Sequence, residues 1–137
     1  MFRVSTYLAP SAIHGIGVFT PLPIPAGTVI WEYTPGVDLR LAAPELEGLP
    51  AVLREQFRSH CYLEPSGMYV FCGDNARYMN HSFEPNCDDS GEERTVALRD
   101  IAAHEELTCD YRSFDVESAT TGLSVWSGRL SRSGRAR

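Results

Sequence analysis

The sequence predicts a mostly β fold, α+β only by minor helices, and three observations carry that prediction. Short runs rich in Val, Ile, Tyr, Phe and Thr recur along the chain. Each is closed by Pro, Gly, Asn or Asp, and a single stretch keeps a convincing helical period. At 137 residues the chain fits one domain with a real core and is too short for two ordinary ones.

The expected strands are Phe2–Tyr7, Gly17–Thr20, Thr28–Tyr33, Met68–Phe71, Arg94–Arg99 and Glu106–Asp110. Pro21-Leu22-Pro23-Ile24-Pro25-Ala26-Gly27, Thr34-Pro35-Gly36 and Asp88-Asp89-Ser90-Gly91 separate them with turn chemistry. The helix falls over Pro50–Arg58, where Leu49, Val52, Leu53 and Phe57 make one apolar stripe, read as core packing. From Ser118 onward Ser, Gly, Thr and Arg dominate, so residues 1–117 are expected to form the domain. Residues 118–137 are then a mobile tail, part-ordered around Leu123–Trp126. No internal repeat is visible.

Hydrophobic residues at 43% and charged ones at 22% are in the ordinary globular range. No apolar run approaches the ~20 residues of a membrane helix, and Met1–Ser5 does not open a secretory signal. The expectation is a soluble intracellular protein, cytoplasmic or nuclear/nucleoid, without membrane attachment. All 12 basic residues are Arg, and four (Arg129, Arg132, Arg135 and Arg137) lie in the last nine positions. Without them 8 Arg face 18 acids, a net charge of −10. Such a body repels nucleic acid, so no direct nucleic-acid binding is expected, and it attracts basic partners.

Cys61, Cys72, Cys87 and Cys109 are 11, 15 and 22 positions apart, without the close pairs that hold structural zinc. They read as ordinary buried thiols, and no metal site is expected. His14-Gly15-Ile16-Gly17-Val18-Phe19 lacks the third glycine of a dinucleotide fingerprint: Thr20 and Pro21 stand there, and the flank reads as strand. A plain turn and a ligand loop both remain open for it. Asn80-His81-Ser82 has no nucleophile elbow, and adjacent His and Ser side chains diverge, so a hydrolytic triad fails. Its residues equally suit a chain crossing in which buried polar side chains satisfy the backbone. Tyr111, closing Glu105-Glu106-Leu107-Thr108-Cys109-Asp110, reads by itself as a core aromatic with a bonded hydroxyl.

Together, HGIGVFT (His14–Thr20), PAGTVIWEYTPG (Pro25–Gly36), DNARYMNHSFEPNC (Asp74–Cys87) and VALRDIAAHEELTCDY (Val96–Tyr111) resemble the SET-domain lysine methyltransferases. The motif core spans 14–111. The resemblance implies a SET fold of several small sheets with a C-terminal pseudoknot. It also implies S-adenosylmethionine as methyl donor, with S-adenosylhomocysteine as product, and the ε-amine of lysine in a basic protein as acceptor. By the same resemblance Gly15, Ile16 and Gly17 approach the methionine end of the cofactor. Asn80 and His81 hold its methionine and adenine portions, His81 through its backbone, and Arg77 and Tyr78 support that loop. Tyr111 becomes the catalytic tyrosine, and Tyr33, Cys109 and Tyr111 line the lysine channel, with Tyr33 helping to orient the amine. Only the neutral amine attacks, and an apolar channel beside a sulfonium lowers the lysine pKa from its usual ~10.4, so no strong side-chain base is required.

Two departures carry expectations. No Cys follows Tyr111, so the zinc-binding cysteine module of many relatives is absent, and Trp126 is the candidate to cover the adenine. Cys109 stands where relatives carry Phe or Tyr, which widens the channel and favours higher methylation states. Minimal domains of this family pair to complete their sites, so a homodimer is among the expectations. The rival reading is a catalytically silent SET-like module that binds a basic protein partner.

Overall fold

The structure, a computed structural model, describes residues 1–91 and 93–121. Three small sheets account for the strands. In the first, β1 (Tyr7–Pro10), β2 (Ile16–Phe19), β10 (Glu106–Cys109) and β7 (Asn80–His81) lie in the order β1-β2-β10-β7. The second is β3 (Val29–Glu32), β9 (Arg94–Ala97) and β8 (Cys87–Asp88). The third places β6 (Tyr69–Phe71) between β4 (Leu39–Leu41) and β5 (Tyr62–Leu63). Short helices α1 (Ala43–Glu47), α2 (Ala51–His60) and α3 (Val116–Thr121) complete the fold. The mostly β class with several small sheets is therefore as the sequence predicts.

Details differ where pairing partners, rather than local propensity, set the outcome. The first strand is Tyr7–Pro10, not Phe2–Tyr7, because Tyr7 pairs with Phe19 and Pro10 with Ile16 across an antiparallel ladder. β1 is an edge strand, where Pro is tolerated because no donor is needed on its open side. Phe2 lies outside any strand, with an isolated bridge to Trp31. The two-residue strands β5, β7 and β8 have no propensity signature of their own.

The apolar stripe expected to pack α2 into the core does not do so. Val52 is 70% and Leu53 43% exposed, and α2 has no fully buried residue. Only Phe57 docks, stacking on Phe71 with ring centroids 4.3 Å apart. A periodic stripe shows which face is apolar, and tertiary contacts decide what covers it. Helix α3 runs across the boundary expected at 117/118: Ser118 is buried and its hydroxyl donates to Asp115 Oδ2 at 2.6 Å.

The core gathers Val18, Ile30, Cys87, Ala97, Leu107 and Cys109 from the first two sheets, with Ile24, Met79 and Ile101 from the connections between strands. Burying each of the larger aliphatic side chains contributes about 1.5–3 kcal/mol. All four cysteines are buried, and none forms a disulfide among the described residues. The segment from Asn80 to Asp88 then fixes the topology. It pairs in parallel with β10 (Thr108↔Asn80, Cys109↔His81) and, a few residues on, antiparallel with β9 (Cys87↔Ala97). Between these, Asn86, 2% exposed, accepts from Thr108 N at 2.9 Å and donates to Glu106 O at 2.8 Å. One polar side chain thus satisfies two backbone groups where the segments interweave, the pseudoknot that the resemblance implies.

Candidate active site

The parallel pairing of β7 with β10 sets Asn80 and His81 beside Thr108 and Cys109, with Tyr111 two residues beyond the strand end. Asn80 is buried, and its Nδ2 reaches His14 O at 3.0 Å, Ile16 O at 3.2 Å and Glu106 Oε1 at 2.9 Å. Two N–H groups shared over three acceptors tie the His14–Ile16 loop to β10. Glu106 also accepts from the Ser11 hydroxyl, at 2.8 Å to Oε1. Gly17 follows from that arrangement: a Cβ there would stand 2.1 Å from Glu106 Oε1. Gly15 is glycine for another reason, its φ of +48° with open space around the Cβ position.

His81 Nδ1 accepts from Tyr111 N at 3.1 Å, which leaves the ring proton on Nε2. Burial holds the His81 pKa below its ordinary value, with Asp110 opposing, so the acceptor role is the one expected at neutral pH. Tyr111 donates its hydroxyl proton to Met79 O. Burial raises the Tyr111 pKa, so the phenol stays neutral and its oxygen still has lone pairs to offer. An aromatic wall continues from Tyr111 to Phe114 at 5.6 Å and on to Tyr62 at 5.0 Å.

These groups border one open cavity of about 2280 Å³. A single small-molecule site occupies roughly 300–1,000 Å³, so there is room here for a cofactor-sized ligand and an inserted side chain together. Of the residues singled out in the sequence, Gly15, Ile16, Arg77, Tyr78, Asn80, Cys109 and Tyr111 line it. Gly17 packs against Glu106 instead, and His81 stands behind Tyr111. Tyr33 is not on the cavity wall: its hydroxyl donates to Asp38 O at 3.2 Å and its ring is covered by the Arg40 guanidinium at 3.9 Å. Trp126 lies outside the described residues.

Trp31, Tyr62 and Asp89 line the cavity, and the sequence reading passed over all three as site residues. Asp89 sat in a stretch that read purely as turn, and Tyr62 reaches the wall only through a two-residue strand. Glu106, the brace of the glycine loop, read as an acidic strand start.

S-adenosylmethionine is a polar, zwitterionic ligand with a cationic sulfur, and the cavity suits one. Three buried polar atoms have no partner among the described residues: Trp31 Nε1, His81 Nε2 and Asp89 Oδ2. Trp31 and Asp89 are on this wall, and buried polar groups of that kind call for a polar ligand. The His14–Ile16 backbone, opened by Gly15, and Arg77, Tyr78 and Asn80 are the residues that would hold it.

This interwoven site on three small sheets defines a known class: residues 15–112 match the SET domain, and the chain belongs to that family. It is 33% identical over 135 residues to the histone-lysine N-methyltransferase ATX2 of Arabidopsis thaliana, covering 85% of this chain and 12% of that protein. Histone-lysine N-methyltransferase 2B of Homo sapiens is 35% identical over 129 residues, with 82% and 4% covered. The chain thus spans no more than about an eighth of the length of these relatives. Among solved structures it resembles a humanized mutant of the Chaetomium thermophilum Polycomb Repressive Complex 2 bound to the inhibitor GSK126. The TM-score is 0.61 at 27% identity, over 85% of this chain and 16% of that one. Among the described residues no helix is long and apolar enough to cross a membrane.

Proposed function

We propose that this SET domain transfers methyl groups from S-adenosylmethionine to the ε-amine of lysine in a basic protein. The observation that carries the reading is the shared cavity: the Gly15 loop and Asn80 border it together with Cys109 and Tyr111. The relatives' names point to histones as the substrate class, and a body of −10 net charge suits a basic tail.

The bound cofactor would supply an electrophilic methyl on a sulfonium. The chain's own residues orient the acceptor. With its proton committed to Met79 O, the Tyr111 oxygen is left as an acceptor for an amine N–H or a polarised methyl C–H. Tyr62 and Phe114 give the aliphatic chain of a lysine an apolar, water-excluding wall, which disfavours the ammonium form. Cys109, 3% exposed, is far smaller than an aromatic at the same place, which supports room for a second and third methyl.

Calorimetry with S-adenosylmethionine and radiolabelled methyl transfer into histone H3 and other basic proteins, with mass-spectrometric site mapping, test the reading. The chain has no lysine, so label on lysine comes only from the added substrate. Cofactor binding and label in lysine are expected. A folded protein that binds no S-adenosylmethionine refutes the reading, and binding without transfer to any basic protein favours the silent module.

A further inference from the structure

Of the ionisable groups on the cavity wall, Asp89 is the one with a solvent-excluded oxygen that has no hydrogen-bond partner among the described residues. Asp89 follows β8 and lies on the wall with Trp31, Thr95, Cys109 and Tyr111. Its Oδ1 accepts from the Thr95 hydroxyl, and Thr95 is held opposite Trp31 by the β3–β9 ladder. Its Oδ2 is shut off from solvent and has no hydrogen-bond partner among the described residues. Asp88 precedes it at the end of β8, Cys109 approaches from β10, and Tyr62, Cys72, Cys87 and Tyr111 all feel its charge. None of these is a cation, and the ion pairs among the described residues use other acids.

A buried carboxylate without a cation is costly, and the cost is relieved when one arrives. Burial raises its pKa to about 6, Asp88 adding and Thr95 and Cys109 opposing, so it remains largely ionised at neutral pH. The substrate lysine is the cation that the proposed reaction brings into this cavity.

We propose that the Asp89 carboxyl is the seat of the substrate's amino group, a turn of its side chain bringing Oδ2 to the cavity to receive the ε-ammonium and take one of its protons. This rests on the methyl-transfer reading. The N–H bond breaks and leaves its electron pair on nitrogen, an O–H bond forms at Oδ2, and the proton later passes to water. Once the cofactor and the lysine side chain fill the cavity and exclude water, the neutral amine and carboxylic acid compete well with the ion pair, because neither is then a desolvated charge, and the two titrate as one unit. Asp89 therefore gives the part of the cavity beside Trp31, Cys109 and Tyr111 a preference for cationic chain ends.

The direct probe is n-butylammonium, a lysine side chain without its backbone, followed on the whole chain by ¹³C NMR of the Asp carboxyls. At pH 7.5 saturable binding should shift the Asp89 carboxyl carbon. The affinity should fall at least about ten-fold at pH 4.5, where Asp89 is protonated, and likewise in Asp89→Asn, whereas n-butanol binds both proteins alike. Asp89→Glu keeps the charge and should retain n-butylammonium binding, which separates loss of the carboxylate from loss of the fold. Equal n-butylammonium affinity in wild type and Asp89→Asn overturns the proposal. In methyl transfer to a basic peptide, Asp89→Asn should be slower by at least about ten-fold at pH 7.5, the gap closing toward pH 10, where the amine is neutral unaided. A rate ratio independent of pH refutes the proton-acceptor role. Should wild type transfer no methyl at all, the methyl-transfer reading falls, and n-butylammonium still decides the role of Asp89.

Discussion

Replacing Asp89 by Asn should change how the stability of the unliganded protein depends on pH. The carboxyl titrates at about 6 in place of an ordinary 3.8, chiefly because it is buried. The folded protein thus holds this proton more tightly than the unfolded chain. The protonated group is tolerated in full below pH 3.8, and stability is lost as pH rises from there through 6. The interval, 6 − 3.8, is about 2.2 pH units, and at about 1.36 kcal/mol each it is worth about 3 kcal/mol. Asn has nearly the same shape, can still accept from Thr95, and does not titrate. Urea denaturation of both proteins at intervals from pH 3.5 to 7.5 gives the comparison, because every other titrating group cancels in the difference. The stability of Asp89→Asn relative to wild type should climb by about 3 kcal/mol across that range. Parallel curves, with a difference constant to within about 0.5 kcal/mol, would show that Asp89 is not buried as described.

Four further outcomes follow from particular contacts. Gly17→Ala must displace Glu106 and with it the bonds from Ser11 and Asn80, costing about 2–3 kcal/mol in urea denaturation, whereas Gly15→Ala costs about 1 kcal/mol, from backbone strain alone. Asn86→Ala leaves Thr108 N and Glu106 O unpaired in the interior and should lower stability by about 2–4 kcal/mol, read by thermal unfolding. Tyr111→Phe should leave S-adenosylmethionine affinity within about two-fold in calorimetry while turnover falls by about a hundred-fold or more. Val52→Ser on exposed α2 should change stability by less than about 0.5 kcal/mol, whereas Phe57→Ala loses the Phe71 stack and costs about 1–2 kcal/mol.

Much of the fold was legible because turn residues punctuate it. Thr28–Tyr33 and Arg94–Arg99 contain the observed β3 and β9, since each run is β-branched and bounded by breakers. The strands that build the site were not legible. Asn80–His81 and Cys87–Asp88 carry no strand propensity, and they are extended because β10 and β9 offer them partners. The α2 stripe misled for the complementary reason: an apolar face is local information, and the surface covering it is not.

The same division runs through the site. The sequence by itself determined the family-bearing blocks, the glycines at 15 and 17, and the Asn80, His81 and Tyr111 positions, since those are choices of residue type at fixed spacing. The tertiary structure alone decided their present roles. It set Asn80 and Glu106 as the brace of the glycine loop, turned Tyr33 under Arg40 and away from the cavity, and placed Trp31 and Tyr62 on the wall. It also carried Asp89 out of an apparent turn into a half-buried place where its Oδ2 is shut off from solvent and without a hydrogen-bond partner among the described residues. The reason is physical: burial and pairing are properties of what the chain folds against, and a carboxylate acquires its chemistry from its neighbours.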